Sequence, residues 1–310
     1  MPAPLVDFNG SPVVSTSGAG TIEVHAGRVF NFGAALTMGD VEGDIFDADE
    51  YTIQTAGGDV TLTATNDIDL DTVNAGSGTV IVTADSDSSG AGSIDDALTA
   101  ETSNIPAASA ALRAATGIGS TDDVDTTVST VSATNSTSGN IQIDNGNGTD
   151  LTIGTVDGLA GITNDGGSIL VNNLNGTITV ADAVSTVAGS GGSLSLSGSL
   201  VINATVDAGQ FNVTLNGNDN GDDDLVVNAD LTTGGSLALS VSRDIIVNAT
   251  VQTTGAGSDI IATADNDNDG IGGVQVTTGG QVNSADAVIL TGSDLFADPG
   301  GAESVQVDAD

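Results

Sequence analysis

The chain has 310 residues, with 42 acidic residues against three arginines and no lysine, so its formal net charge is -39. This charge argues against nucleic acid and anionic membrane surfaces as partners, because both are polyanions. The absence of cysteine excludes disulfide frameworks and thiolate metal sites.

The remaining composition indicates a folded β protein in a cation-rich setting. The hydrophobic content of 38% is too high for a solvated disordered chain, and 43 glycines supply many turns. The acidic charge opposes compaction unless cations screen it. We therefore expect an extracellular or cell-surface location with Ca²⁺ as the counter-ion. No apolar run approaches the length of a bilayer span, so we predict no membrane insertion.

Residues 1–56 differ in composition from the rest of the chain. They hold five of the seven aromatic residues and the only histidine, His25. We predict an N-terminal cap or docking segment, because bulky side chains can close the open end of a thin solenoid. The opening stretch MPAPLVDFNGSPVV lacks the basic and apolar regions of an ordinary secretory signal peptide.

From residue 57 onwards the chain repeats itself. GGDVTLTATNDIDLDTV (57–73) matches GGSLALSVSRDIIVNATV (234–251), and the related blocks span residues 57–119 and 234–296. Apolar and polar residues alternate within each run, which predicts strands, and Gly, Asn and Asp supply the corners. One unit of about 17 to 28 residues cannot bury its apolar face alone, whereas stacked units can. Residues 57–310 are therefore predicted to form a parallel β-solenoid, with tandem β-sandwich modules as the alternative.

Two further features of the chain have competing interpretations. The run AASAALRAA has helix-forming residues, but its counterpart in the second block is strand-like, so we predict strands around Leu112 and around 128–131. Asn203 and Asn248 recur at one place in the repeat. A ladder of amides bonded along the stack is favoured over a ligand-facing role for them.

The second block contains an acidic loop with the spacing of a calcium site. Asp265, Asp267 and Asp269 alternate before Gly270, and the backbone carbonyl of Ile271 is the next expected ligand. Alternate carboxylates of this kind converge on one hard cation, and the glycine permits the sharp turn. Position twelve of the loop is Val276 rather than glutamate. We therefore predict a calcium-binding solenoid corner and not a helix-loop-helix hand.

The first block contains a related loop with a different set of oxygen ligands. Asp85, Asp87 and Ser89 precede Gly90, and Asp96 falls at position twelve. We include Asp85, Asp87, Ser89 and Asp96 among the predicted Ca²⁺ ligands. The alternative for both loops is a solvated turn, since Asp, Asn and Gly are common turn residues in any case.

The repeat GGSLALSVSRDIIVNATV, followed by TADNDNDGIG, resembles the repeats of large bacterial surface proteins related to filamentous-haemagglutinin-type adhesins. The resemblance covers most of residues 57–297. It implies a long right-handed β-helix that is secreted and used for attachment, matrix building or cell contact.

The residue inventory favours a structural role over catalysis. The single histidine has no nucleophile motif beside it, and Arg113 and Arg243 lie far apart in the sequence, so no general base is evident. We predict no catalytic residues and a calcium-stabilised adhesive or structural protein that self-associates into fibres, matrix or a surface coat. The alternative is a carbohydrate-binding or carbohydrate-cleaving β-helix, whose partner is a polysaccharide or host-surface ligand.

Overall fold

A computed structural model describes residues 51–98, 102–146, 149–186, 191–217 and 223–297, together with short strands before residue 51 and at 307–309. These described residues form strands and turns but no helix. Accordingly, this part of the chain offers no helical segment with the length and hydrophobicity that a bilayer span requires.

Strands are short and follow one another along the whole described chain. The strands up to residue 146 are β1 Val6–Phe8, β2 Val13–Val14, β3 Ile22–Glu23, β4 Arg28–Phe32, β5 Leu36–Val41, β6 Ile45–Phe46, β7 Tyr51–Thr55, β8 Val60–Ala64, β9 Ile68–Leu70, β10 Thr72–Asn74, β11 Thr79–Thr83, β12 Ile94–Asp96, β13 Ile105–Pro106, β14 Ser109–Ala114, β15 Val124–Thr127, β16 Thr130–Asn135 and β17 Ile141–Asn145. Those that follow are β18 Leu151–Ile153, β19 Thr155–Val156, β20 Leu159–Ala160, β21 Ile162–Asn164, β22 Ile169–Val180, β23 Val184–Thr186, β24 Leu194–Ile202, β25 Val206–Asp207, β26 Val213–Asn216, β27 Leu225–Val227, β28 Leu231–Thr233, β29 Leu237–Ser240, β30 Ile245–Val247, β31 Thr250–Thr253, β32 Ile260–Thr263, β33 Gly273–Val276, β34 Gln281–Ser284, β35 Val288–Thr291, β36 Asp294–Ala297 and β37 Val307–Ala309.

The chain divides into two compact units. The first unit comprises Met1–Gly146, Thr155–Ala160 and Asn164–Gly166. The second unit comprises Asn147–Gly154, Gly161–Thr163 and Gly167–Asp310.

In the first unit, parallel pairing stacks strands from successive turns into three ladders and a further series of β13, β15 and β17. Ladder A is β1, β4, β7 and β10; ladder B is β2, β5, β8, β11, β14 and β16; ladder C is β3, β6, β9 and β12. In ladder B, Val60 pairs with Val80 and Val80 pairs with Ala110. A turn of the chain therefore returns each strand beside its predecessor, as in a solenoid.

The second unit is built in the same way. Ladder D is the first half of β22 and of β24, then β26, β29, β32 and β35; ladder E is β18, the second halves of β22 and β24, then β27, β30, β33 and β36; ladder F is β23, β25, β28, β31, β34 and β37. The turns differ in length, since the turn from Leu194 to Val213 is shorter than the turn from Ile260 to Val288.

The core of each unit consists of apolar columns that run along the stack. Strand β24 alternates strictly between buried and half-buried positions, because side chains of a strand point to opposite faces. Its inward Leu194 is followed in the ladder by Val213 and Leu237, all at most 1% exposed. Without large rings, Val, Ile, Leu and Ala fill this narrow interior one rung at a time.

The predicted parallel β-solenoid is confirmed, and the alternative of tandem β-sandwiches is wrong because sandwich sheets are antiparallel. The run around Leu112 is strand β14, so the helical alternative for it is also wrong. The first strands of the two sequence blocks have equivalent pairing within their own units. Val60 pairs with Val80 in the first block as Leu237 pairs with Ile260 in the second.

Most of the predicted cap, residues 1–56, lies outside the described residues. Its described strands β4 and β7 pair with each other, and β7 pairs with β10 beyond residue 57. Ladder A thus runs across the predicted boundary, and the division into a cap and repeats stays a prediction.

Candidate cation site

The two acidic loops have the same backbone conformation. Asp85 and Asp265 adopt φ values of 59° and 57°, and Ser88 and Asn268 both adopt 58°. Each loop leaves a ladder strand, β11 or β32, and leads into the strand of the neighbouring ladder, β12 or β33. The similarity of the sequences therefore reflects one structural element that both units contain.

In the second loop, three carboxylates converge. Oxygen atoms of Asp265, Asp267 and Asp269 lie within 4.8 Å of one another, and the latter two side chains are exposed. Backbone amides orient two of these carboxylates: Gly270 N donates to Asp265 Oδ1 at 3.1 Å, and Ile271 N donates to Asp269 Oδ1 at 2.7 Å. Hard oxygen ligands at this separation suit Ca²⁺, which takes several carboxylate and carbonyl oxygens.

The Asp265 carboxylate is further supported from the next rung of the solenoid. The Ser293 hydroxyl donates to Asp265 Oδ2, and the Ser293 amide donates to the Gly272 carbonyl at 2.9 Å. The Ser293 hydrogen bond, helped by the amide of Gly270, lowers the pKa of Asp265 below its ordinary value of 3.8 against a smaller opposing effect of desolvation. This carboxylate is therefore held in the charged form that a cation requires.

The Ser293 contact predicts a pH-dependent contribution to stability. A carboxylate whose folded pKa is lowered stabilises the fold fully above the ordinary value of 3.8. That contribution is lost as the pH falls through the lowered folded value. We expect Ser293→Ala to melt below the wild type at neutral pH, and the difference to shrink in acid. Melting curves between neutral pH and acid measure it.

Alanine is a suitable replacement at Ser293 because the first block uses it. The Ala115 amide donates to the Gly92 carbonyl at 2.9 Å, as the Ser293 amide does to Gly272. A difference in melting temperature that stayed constant with pH would contradict the prediction.

In the first loop, the Asp85 carboxylate accepts its hydrogen bonds from residues of the same loop. The Ser89 hydroxyl donates to Asp85 Oδ1 at 3.0 Å, and the Gly90 amide donates to the same oxygen at 3.0 Å. The Ser89 amide donates to Asp87 Oδ1 at 3.2 Å. A hydroxyl donor stands here where the second loop has a third carboxylate, so the charge that a cation would neutralise is smaller.

Asp96, the fourth predicted ligand of the first loop, lies at the end of strand β12. Its Oδ1 accepts hydrogen bonds from the Leu98 amide and the Asn104 side chain, both at 2.6 Å. In the second loop, the Ile271 side chain is 61% exposed. The ligand roles predicted for Asp96 and for the Ile271 carbonyl stay predictions.

Sequence reasoning missed a second carboxylate cluster. Oxygen atoms of Asp123, Asp125 and Asp144 lie within 4.8 Å of one another. Asp125 and Asp144 are direct partners on the adjacent strands β15 and β17, where like charges are destabilising unless they are compensated. No local motif marks this cluster, because the two strands belong to successive turns and only their register brings them together.

Many other acidic residues have a structural role at the corners. A corner carboxylate repeatedly accepts a hydrogen bond from a backbone amide of the following rung. The Asp59, Asp224 and Asp259 carboxylates accept from the amides of Thr79, Asp244 and Ala287 at 2.8, 3.1 and 3.1 Å. These bonds satisfy amides at the strand starts, which turns would otherwise leave to water.

The predicted asparagine ladder is confirmed. The Asn228 side chain donates to Asn203 at 2.9 Å, and the Asn248 side chain donates to Asn228 at 2.7 Å. The Thr277 hydroxyl extends the ladder by one rung, at 2.7 Å from Asn248. Asn228 belongs to the ladder although its neighbouring sequence lacks the full repeat motif.

The chain was compared with protein-family models, with curated proteins and with solved structures. No protein-family model, curated protein or solved structure matches the chain.

Proposed function

We propose that the chain is a structural or adhesive protein of the cell surface or extracellular space. In this proposal, Ca²⁺ stabilises the β-solenoid at the loop of Asp265, Asp267 and Asp269. The stabilised solenoid then self-associates into fibres, matrix or a surface coat. The observation that carries the proposal is the convergence of three carboxylates within 4.8 Å at a corner of a repeating scaffold.

The charge of the molecule supports a cation at this loop. With a net charge of -39, the chain gains from any cation that neutralises a carboxylate cluster. Extracellular calcium modules bind with a Kd of about 10⁻⁴ M. A single site of that affinity raises the free energy of unfolding by about 2.7 kcal/mol in about 10 mM calcium. This is a sizeable share of the stability of an ordinary domain.

The scaffold itself supports a role in assembly. Corner carboxylates and amides are engaged in bonds between rungs, and extended outer sheet faces run along each unit. Repeated faces of this kind suit binding by shape and repetition. The resemblance to filamentous-haemagglutinin-type repeats agrees with this proposal.

Melting with and without calcium tests the proposal. We expect the full chain to melt at a higher temperature in about 10 mM calcium than in EDTA, with magnesium giving a smaller effect because it demands tighter geometry. Electron microscopy of the same samples is expected to show fibres or sheets. Identical melting in calcium and EDTA, together with dispersed particles, would contradict the proposal.

A second candidate function is binding or cleavage of a polysaccharide. One observation favours it: the carboxylates of Asp123, Asp125 and Asp144 converge on the outer side of β15 and β17. Glycoside hydrolysis uses paired carboxylates, and the retaining reaction uses the closer pair, about 5 Å apart. Release of sugar from an acidic or neutral polysaccharide, unaffected by chelator and lost in Asp125→Asn, would support this candidate.

A further inference from the structure

The outer face of ladder E carries three columns of side chains with different chemistry. The acid column consists of Asp224 and Asp244, with Ser199 in the same register on the preceding rung; the apolar column consists of Val201, Val226 and Ile246; the amide column consists of Asn203, Asn228 and Asn248. Strands β27 and β30 bury the residues on either side of Val226 and Ile246, so these two side chains point outwards. The columns lie about 7 Å apart and the rungs about 4.8 Å apart.

Hydrogen bonds along the stack fix the two polar columns. The amide column is the asparagine ladder described above, in which each bond uses one of the two hydrogens of an amide nitrogen. In the acid column, Asp224 Oδ1 accepts from the Asp244 amide and Asp244 Oδ1 accepts from the Gly273 amide at 2.9 Å. Each bond uses one of the two carboxylate oxygens. Asp224 Oδ1 also lies 3.9 Å from Arg243 Nε in an ion pair. The face is thus preorganised for a partner that offers the complementary groups.

A second copy of the chain offers these groups in one orientation. A two-fold axis parallel to the stack places Asp224 opposite Asn228 of the other copy, and Val226 opposite its own equivalent. A two-fold axis along the strands would instead place acids opposite acids, which is repulsive. Because the acid and amide columns flank the apolar column at equal distances, the first arrangement pairs every column with a compatible one.

We propose that the outer face of ladder E is a lateral contact between two copies of this chain, with their solenoid axes parallel. This inference rests on the proposed self-association and names the surface that performs it. Three rungs cover roughly 200 Å² per copy, against about 800 Å² for a standard stable interface. One contact is therefore weak, with a dissociation constant on the order of 10⁻⁴ M or higher.

Exchange of the charged and amide residues tests the contact. Sedimentation velocity of the full chain in calcium, from about 10 µM to about 1 mM, measures association around the expected dissociation constant. Asn228→Asp places a carboxylate opposite the partner's Asp224 twice in each dimer, and we expect association to weaken about tenfold or more. The double variant Asp224→Asn/Asn228→Asp exchanges the two columns on that rung, so we expect association to recover.

Two further variants separate the contact from general effects. Asn212→Asp adds the same charge at an exposed corner of ladder D, and its carboxylate can still accept the Ser236 amide as Asn212 does at 2.9 Å. We expect it to associate like the wild type. Asp224→Asn alone keeps the asparagine ladder and is expected to weaken association about threefold, since it removes the charge-assisted bond without adding repulsion.

Ladder D supplies the competing surface. Ile261 and Ile289 are 41% and 50% exposed on adjacent strands. Their two flanking outward columns are Ser236, Asp259 and Ala287 on one side and Ser240, Thr263 and Thr291 on the other, so they contain one acid and no amide. Ile289 also lies on the last described strand of its ladder. We expect Ile261→Thr/Ile289→Thr to associate like the wild type.

Five results would overturn the inference. They are a monomeric wild type over the whole concentration range, wild-type association of Asn228→Asp or of Asp224→Asn, a double variant that stays as weak as Asn228→Asp, and loss of association in Ile261→Thr/Ile289→Thr. Recovery in the double variant with a wild-type Asn212→Asp supports it. The calcium melting shift, recorded on the same samples, tests the calcium site of the proposed function independently, because it does not depend on the outer face of ladder E.

Discussion

Replacing Asp269 with serine should abolish most of the stabilisation that we propose calcium gives to this protein. The change copies the first loop, where the Ser89 hydroxyl donates to Asp85 Oδ1 at 3.0 Å. With one carboxylate replaced by a donor, the cluster loses both a ligand and the repulsion that a cation relieves. The calcium-induced gain of about 2.7 kcal/mol should fall to near zero, while stability in EDTA should stay the same or rise. Chemical denaturation in calcium and in EDTA measures both quantities.

Two variants complete this experiment. Asp286→Ser removes the same charge from an exposed position outside the loop and is expected to keep the full calcium response. Ser89→Asp gives the first loop the three carboxylates of the second, and we expect it to create a second calcium-dependent increase in stability. A full calcium response in Asp269→Ser would show that calcium acts at another place in the molecule.

The second large effect is expected at Gly272, where the acidic loop returns to the solenoid. Its φ is +148°, and a Cβ atom there would lie 2.6 Å from the Arg243 carbonyl oxygen and 2.8 Å from the Asp265 amide nitrogen. Both neighbours are backbone atoms, so Gly272→Ala must displace the loop or the previous rung. We expect a loss of about 3 kcal/mol in the free energy of unfolding. The calcium response should be lost too, since the displaced segment carries Asp265.

Gly270 is the matched control for this substitution. It has a φ of +86°, but a Cβ atom there would meet nothing within 4 Å. Gly270→Ala should therefore cost only the backbone strain, about 1 kcal/mol, and should keep most of the calcium response. Equal losses in Gly270→Ala and Gly272→Ala would contradict the close packing of the loop against Arg243.

The architecture could be predicted from the sequence because a solenoid repeats a local pattern. Alternation with period two identified strands such as β24 and β30. The duplicated blocks implied that equivalent strands of successive turns stack on one another. The same argument predicted the amide ladder of Asn203 and Asn248, since a residue type that recurs at one corner lies next to the same residue type on neighbouring rungs. The acidic loops were visible because their oxygen-bearing side chains follow one another directly in the chain.

Contacts across the rungs could not be predicted, because they depend on the length of each turn. The turn from Leu194 to Val213 is much shorter than the turn from Val80 to Ala110. Without these lengths, no sequence rule places Ser293 beside Asp265 or Asp144 beside Asp125. The hairpin of β19 and β20, an antiparallel pair, was also missed. Its Asp157 is held by Arg113 through an ion pair of 3.1 Å, a contact between residues far apart in the chain.

The variable turn length has a consequence for how such a protein changes over time. The turns from Val60 to Val80 and from Leu225 to Ile245 are equally long, whereas every turn that contains an acidic loop is longer. The loop is thus an insertion at one corner, and the ladders on both sides keep their register around it. Such a corner can gain, lose or exchange a binding loop by insertion and deletion while the scaffold is inherited unchanged. Duplication of a whole block then yields two copies whose loops are free to diverge, one with a third carboxylate at Asp269 and one with a hydroxyl at Ser89.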